Sequence, residues 1–188
     1  MSSTVQQMPT FSALGARCTV LDISDQMLEN ERIVAAREGY EIEILRGDMT
    51  QPLPFEDGRF DLIFHPVSNC YIEDVRPVWL ECFRVLKPGG ILMAGLDNGL
   101  NYTVDDDETQ LVRKLPFNPL NDPEIYHQSV EQNWGIQFSH TIEEQVDAQL
   151  RAGFILTHIY SDTNGEGRLH ELNIPTFFAT RAVKPGAV

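Results

Sequence analysis

Cysteine is scarce in this 188-residue chain, and what it has is unpaired by pattern. Cys18, Cys70 and Cys82 are an odd set with no Cys-x-x-Cys spacing. That argues against a disulfide framework and against a zinc site, and favours reduced thiols in a cytoplasmic protein. The five histidines are scattered without metal-ligand spacing, so no metal is expected. No apolar run approaches the roughly 18 residues needed to cross a bilayer. Residues 1–10 have neither a basic start nor an apolar core, so neither a signal peptide nor a membrane partner is expected. Positive charge is also short. Fourteen Lys and Arg against 28 Asp and Glu leave a formal net charge of −14, which argues against a nucleic-acid partner and reads as solubility.

Helix and strand patterns alternate with short connections. The fold class this implies is α/β, a doubly wound and mostly parallel sheet with helices on both faces, in a single domain over residues 1–188. A short helix is expected over 9–16 and a strand over 17–22. A helix follows from Ser24 or Asp25 to about Glu38, with Gly39 as its stop. The alternation Glu41, Ile42, Glu43, Ile44 predicts a strand near a sheet edge. Phe60 to His65 is almost continuously apolar and suits a central strand. A helix from about Val75 to Leu86 ends at Lys87-Pro88-Gly89-Gly90, a turn leading into a strand over Ile91 to Leu96. Residues 97–140 break the rhythm with three prolines, the acidic run Asp105 to Glu108, and the aromatics Tyr102, Phe117, Tyr126, Trp134 and Phe138. They read as a lid or substrate insertion, or equally as a plain surface excursion. The acidic run suits a helix start. Thr141 and Glu144 make a capping box for a helix reaching Ala152-Gly153. Phe154 to Tyr160 and Thr176 to Val183 read as an antiparallel C-terminal hairpin.

Two apolar strands end in carboxylates. Val20-Leu21-Asp22-Ile23-Ser24 delivers Asp22, which can accept hydrogen bonds from both hydroxyls of a ribose, with Ile23 lying against an adenine face. The same spacing also serves merely to start the next helix. One strand–helix–strand unit later, Gly47-Asp48-Met49 offers a close backbone approach at Gly47. Asp48 can accept from an exocyclic amine, and the Met49 amide can donate to a ring nitrogen. His65 follows the central strand, where open α/β sheets place ligands. It can act as a base near neutral pH or as a hydrogen-bonded residue at a strand end. Ser68, Asn69, Tyr71 and Tyr102 are candidates for a substrate pocket. No Ser-His-Asp or Cys-His order supports a covalent hydrolase.

Together, Val20 to Ser24, Gly47 to Met49, Phe60 to His65 and Leu86 to Gly90 resemble the class I S-adenosylmethionine-dependent methyltransferases, in order and in spacing. A subgroup with a block like His65-Pro-Val-Ser-Asn-Cys70 is the nearest in pattern. The resemblance implies a seven-stranded sheet, parallel but for one strand, with S-adenosylmethionine over the strand ends and in-line methyl transfer to a small-molecule acceptor. It assigns Asp22 to the ribose, Ile23 to adenine packing, Asp48 and Met49 to the adenine edge, and His65 to the loop near the methionine moiety, with Gly47 among the cofactor-binding residues. That family begins with a strand and a glycine-rich loop, whereas Met1 to Met8 contains no glycine. The first central strand is therefore expected to be lacking and cofactor binding weakened, as in an N-terminally truncated form. Strands 17–22 and 60–65 then lose a shared neighbour, and their edges are left to another copy or to direct re-pairing. A catalytically inactive interaction module is the competing expectation.

Overall fold

The computed structural model describes residues 4–132 and 135–186. Met1 to Ser3 and Trp134 lie outside the described residues. The chain divides after Phe55 into two compact units.

The first unit is built from α1 (Thr4–Ala13), β1 (Cys18–Asp22), α2 (Asp25–Glu38) and β2 (Ile42–Arg46). The first helix begins earlier than the expected residue 9 and carries Pro9 within it. The ends of α2 follow local chemistry. Ser24 Oγ accepts from the Met27 amide at 3.3 Å, and Gly39 closes the helix at φ 72°, a left-handed conformation that glycine adopts without steric cost. β1 and β2 form a parallel two-stranded sheet with Asp22 opposite Arg46. Met8, Val20 and Leu28 are its buried core, packed by Phe11, Cys18, Tyr40, Ile42 and Ile44.

The second unit holds β3 (Phe60–His65), α3 (Arg76–Val85), β4 (Leu86–Asp97), α4 (Pro123–Glu131), α5 (Ile142–Arg151), β5 (Ile155–Asp162), α6 (Gly167–Glu171) and β6 (Phe177–Val183). Its four-stranded sheet runs β3-β4-β6-β5. β3 is parallel to β4, and β6 is antiparallel to both β4 and β5. The mixed α/β architecture with one reversed strand and a closing hairpin is the one the sequence implies. β3, however, lies at the margin of its sheet rather than in the middle, because among the described strands only β4 pairs with it. Among the described residues β1 and β3 are assigned to separate sheets.

Lys87-Pro88-Gly89-Gly90 is not a turn before a strand but an irregular part of β4. The register passes from Phe60 opposite Leu86 to Leu62 opposite Ile91, so the intervening residues bulge out, with Gly89 at φ 79°. Inward positions Leu92, Ala94 and Leu96 are buried, as is Trp79 of α3, each large side chain contributing about 1.5–3 kcal/mol. The Asp105 to Glu108 run starts no helix. The Asp105 carboxylate instead accepts from the amides of Thr109 at 2.7 Å and Gln110 at 3.0 Å, closing a tight acidic turn. Two helices were not foreseen, α4 and α6. α4 is capped by Asp122, which accepts from Glu124 and Ile125. No helix among the described residues is long and apolar enough to cross a membrane.

Candidate functional site

In the first unit, parallel pairing brings the C-terminal ends of β1 and β2 to one rim. The Gly47 amide donates to the Asp22 carbonyl at 3.0 Å, fixing the two post-strand segments side by side. A Cβ at position 47 would sit 2.8 Å from Leu21 Cδ1, so a larger residue there would have to displace the Leu21 side chain. Asp22 Oδ1 accepts from the Ser24 amide at 2.8 Å, and Asp48 Oδ1 accepts from the amide and hydroxyl of Thr50 at 2.9 and 2.8 Å. These bonds fix each carboxylate through one oxygen. Ile23 beside them is 59% exposed, an apolar side chain with nothing laid over it. Asp22, Ile23, Gly47, Asp48 and Met49 are thus brought together as expected. The donor set, two preset carboxylates with an open aliphatic side chain, fits a nucleoside.

Glu31 lies in the same unit and was missed. It occupies the buried stripe of α2 with Leu28 and Ala35, is fully buried, and neither carboxylate oxygen has a hydrogen-bond partner. Burial, and secondarily the charge of Asp22, pushes its carboxyl above the ordinary range. The sequence signal was a glutamate at an apolar position of an amphipathic helix.

In the second unit, His65 closes β3 and is buried. Its Nε2 is 2.8 Å from Asn69 Oδ1 and 3.4 Å from Ser68 Oγ, and its ring meets Trp79 edge-on at 5.1 Å. Burial lowers its pKa, opposed in part by the Asn69 bond, so the ring is held neutral. Asn69 Nδ2 donates to Gln145 Oε1 at 2.8 Å, and Gln145 Nε2 donates to the Asp97 carbonyl at 3.1 Å. A buried polar chain therefore runs from the end of β3, through α5, to the end of β4. His140 Nε2 approaches the carbonyls of Asn69 at 3.1 Å and Ile72 at 2.8 Å, and ties the same segment down.

β4 extends beyond β3, since His65 pairs with Ala94, and it ends at the buried Asp97. Asp97 Oδ1 accepts from the Gly99 amide at 3.0 Å. Burial raises its pKa, and that amide and His140 offset the rise only partly. Burial, joined by the charge of Asp97, raises the pKa of both Cys70 and Tyr102. Burial pushes the Cys70 thiol up to about 11. Tyr102 packs edge-on against Phe117 at 5.4 Å. Of the expected pocket residues, Ser68 and Asn69 gather at His65, Tyr102 joins Asp97 and Cys70, and Tyr71 is largely exposed. A cavity of about 210 Å³ in the same unit is lined by Asn98, Leu115, Pro116, Ser139, His140 and Ile142 among others, but by none of Asp97, Cys70 and Tyr102.

Strands that end in carboxylates on a mixed α/β scaffold define an open α/β protein of the nucleoside-cofactor type. The methyltransferase-domain family matches residues 2–94. The uncharacterized methyltransferase YbaJ of Bacillus subtilis (strain 168) is 40% identical over 186 residues, spanning 95% of this chain and 72% of the relative. The chain therefore belongs to the methyltransferase-domain family, whose members are S-adenosylmethionine-dependent enzymes of class I. The sterol 24-C-methyltransferase erg6 of Aspergillus fumigatus is 28% identical over 140 residues, but the match spans only 33% of that enzyme. An S-adenosylmethionine-dependent methyltransferase from Mesorhizobium loti shares the fold, with a TM-score of 0.70 at 19% identity, over 89% of this chain and 80% of that one.

Proposed function

We propose that this methyltransferase binds S-adenosylmethionine at the rim of the first unit and transfers its methyl group to a small-molecule acceptor. The observation that supports it most is the rim of β1 and β2, where Asp22 and Asp48 are each fixed through one oxygen. Asp22 accepts from the ribose hydroxyls, Ile23 lies against the adenine, and Asp48 with the Met49 amide reads its edge. Bound there, the cofactor supplies a sulfonium-activated methyl group. The chain's own contribution is proximity and orientation. His65, neutral and tied to Asn69, acts as a positioning residue that fixes the loop after β3. Sterol acceptors belong to relatives of which this chain spans about a third, and they are not carried over.

Calorimetry with S-adenosylhomocysteine tests the reading. Asp22→Ala should weaken binding by about 1.5–3 kcal/mol, the range for hydrogen bonds to a charged group. Asp105→Ala, in the acidic turn of the second unit, should leave it unchanged. Equal effects would remove the ribose role, and no binding to the unmodified chain would overturn the cofactor assignment.

A further inference from the structure

We propose that β5 is a docking edge for a second copy of this chain, the two β5 strands running antiparallel across a two-fold axis at Tyr160. β5 is the margin of its sheet remote from β3, and among the described strands only β6 pairs with it. The outward row of amides and carbonyls on such a strand is a template for a further strand. Edges are commonly blunted by lysine, proline or a bulge, and Ile155 to Asp162 contains neither lysine nor proline. Its one irregularity lies at Thr157, beyond which His158 to Asp162 pairs regularly with Arg181 to Phe177. Within that regular stretch Ile159 is 57% and Tyr160 64% exposed, so large side chains stand uncovered on both faces of the strand.

The arrangement of charge along the strand singles out a second copy as the occupant. Arg181 stands opposite His158 in the hairpin, and its Nη1 donates to Thr157 Oγ1 at 2.7 Å, so the guanidinium lies at the start of the regular stretch. Asp162 ends that stretch, its carboxylate accepting from the Thr163 amide at 2.9 Å. Neither Arg181 nor Asp162 forms a salt bridge among the described residues. Two copies of a strand with a cationic start and an anionic end are complementary when antiparallel. With Tyr160 on the axis, His158 faces the partner subunit's Asp162, and Asp162 faces the partner subunit's His158. Each imidazole N–H can donate to the facing carboxylate, with Arg181 beside it. Tyr160 meets the partner subunit's Tyr160, and Ile159 lies diagonal to the partner subunit's Ile159 on the other face. A register centred two residues earlier or later would set His158 or Asp162 against its own copy, and like groups directly opposite destabilise a ladder. A chain of net charge −14 otherwise repels its copies, and Ile155 to Ser161 is free of carboxylates. Such an isologous contact closes on itself and makes one sheet of two. It lies at a different edge from β1 and β3, where the lack of a first strand leads one to expect association.

Sedimentation equilibrium of the full chain over a range of loading concentrations tests the contact. The unmodified chain should dimerise with a Kd on the order of 100 μM, as suits a small interface. His158→Asp should weaken the dimer at least about tenfold, because symmetry turns both cross-strand pairs into like-charge contacts. Combining it with Asp162→His exchanges the two partners and should recover the dimer at unchanged net charge. Leu62→Asp adds the same single charge on β3 and should leave dimerisation as it is. A chain that stays monomeric up to about 1 mM would overturn the proposal without any variant. So would a double variant no tighter than His158→Asp alone, or a Leu62→Asp loss as large as that of His158→Asp, which would move the contact to β3.

Discussion

Both units leave buried polar atoms unpartnered, Trp79 Nε1 and Gln149 Nε2 in the second and the Glu31 carboxyl in the first, but the second also carries a bonded buried chain. In the second, Asn69 and Gln145 are enclosed but bonded in sequence from His65 to the Asp97 carbonyl. In the first, Glu31 is enclosed with both oxygens unpartnered. The sheets differ in the same sense. β4 and β6 are paired on both sides, whereas β1 and β2 are each paired on one. Satisfied buried networks rigidify the structure around them, and a half-satisfied one costs stability. The bonded chain of the second unit and the unpartnered carboxyl of the first should therefore respond oppositely to substitution.

The sharpest test of the rigid half is Trp79→Ala. Trp79 is fully buried and is the edge-on partner of His65. Its removal should cost about 3–5 kcal/mol in urea unfolding. A loss below about 2 kcal/mol would mean that the packing around β3 is loose and the contrast between units overstated. Next in size is Gln145→Leu, which keeps volume but orphans Asn69 Nδ2 and the Asp97 carbonyl. Two such groups predict a loss of about 2–4 kcal/mol. A neutral outcome would show that water satisfies both groups, and the second unit would then resemble the first.

Much of the scaffold was legible because it rests on local chemistry. The Ser24 cap, the Gly39 stop and the Thr141 cap, whose Oγ1 accepts from Glu144 N at 3.0 Å, each act within a few residues. The side-by-side placement of the two acid-tipped strand ends was legible too, since an acid closing an apolar strand is a sequence pattern. Leu96-Asp97 at the end of β4 repeats that pattern. Gln145 and His140 had no sequence signal, for their partners lie 48 to 76 residues away. The proline-glycine segment after α3 was misread because its glycines, which do permit a turn, here permit a bulge within a continuing strand. α4 was hidden by the prolines around it, although Asp122 followed by Pro123 is a sound helix start.

The smallest expected effect bears on the first unit and has the opposite sign. Glu31→Met replaces an unpartnered buried carboxyl with an apolar side chain of good helix propensity. It should stabilise α2 by about 1–2 kcal/mol near pH 7, read from amide exchange at Leu28 and its neighbours. The pH dependence follows from linkage. The carboxyl of Glu31 is raised in the folded state relative to its ordinary value of 4.5, so the folded form binds its proton more tightly than the unfolded chain does. Its contribution is fully present below about pH 4.5 and is lost as pH rises through the folded value. The unmodified first unit should therefore lose protection as pH climbs from 4.5 towards neutrality, while Glu31→Met should not show that loss. The advantage of the variant should shrink towards pH 4.5, where the carboxyl is neutral in both states. If the variant instead lowers protection at pH 7, then Glu31 is satisfied in solution, and the contrast between a bonded and an unbonded interior fails at its central residue.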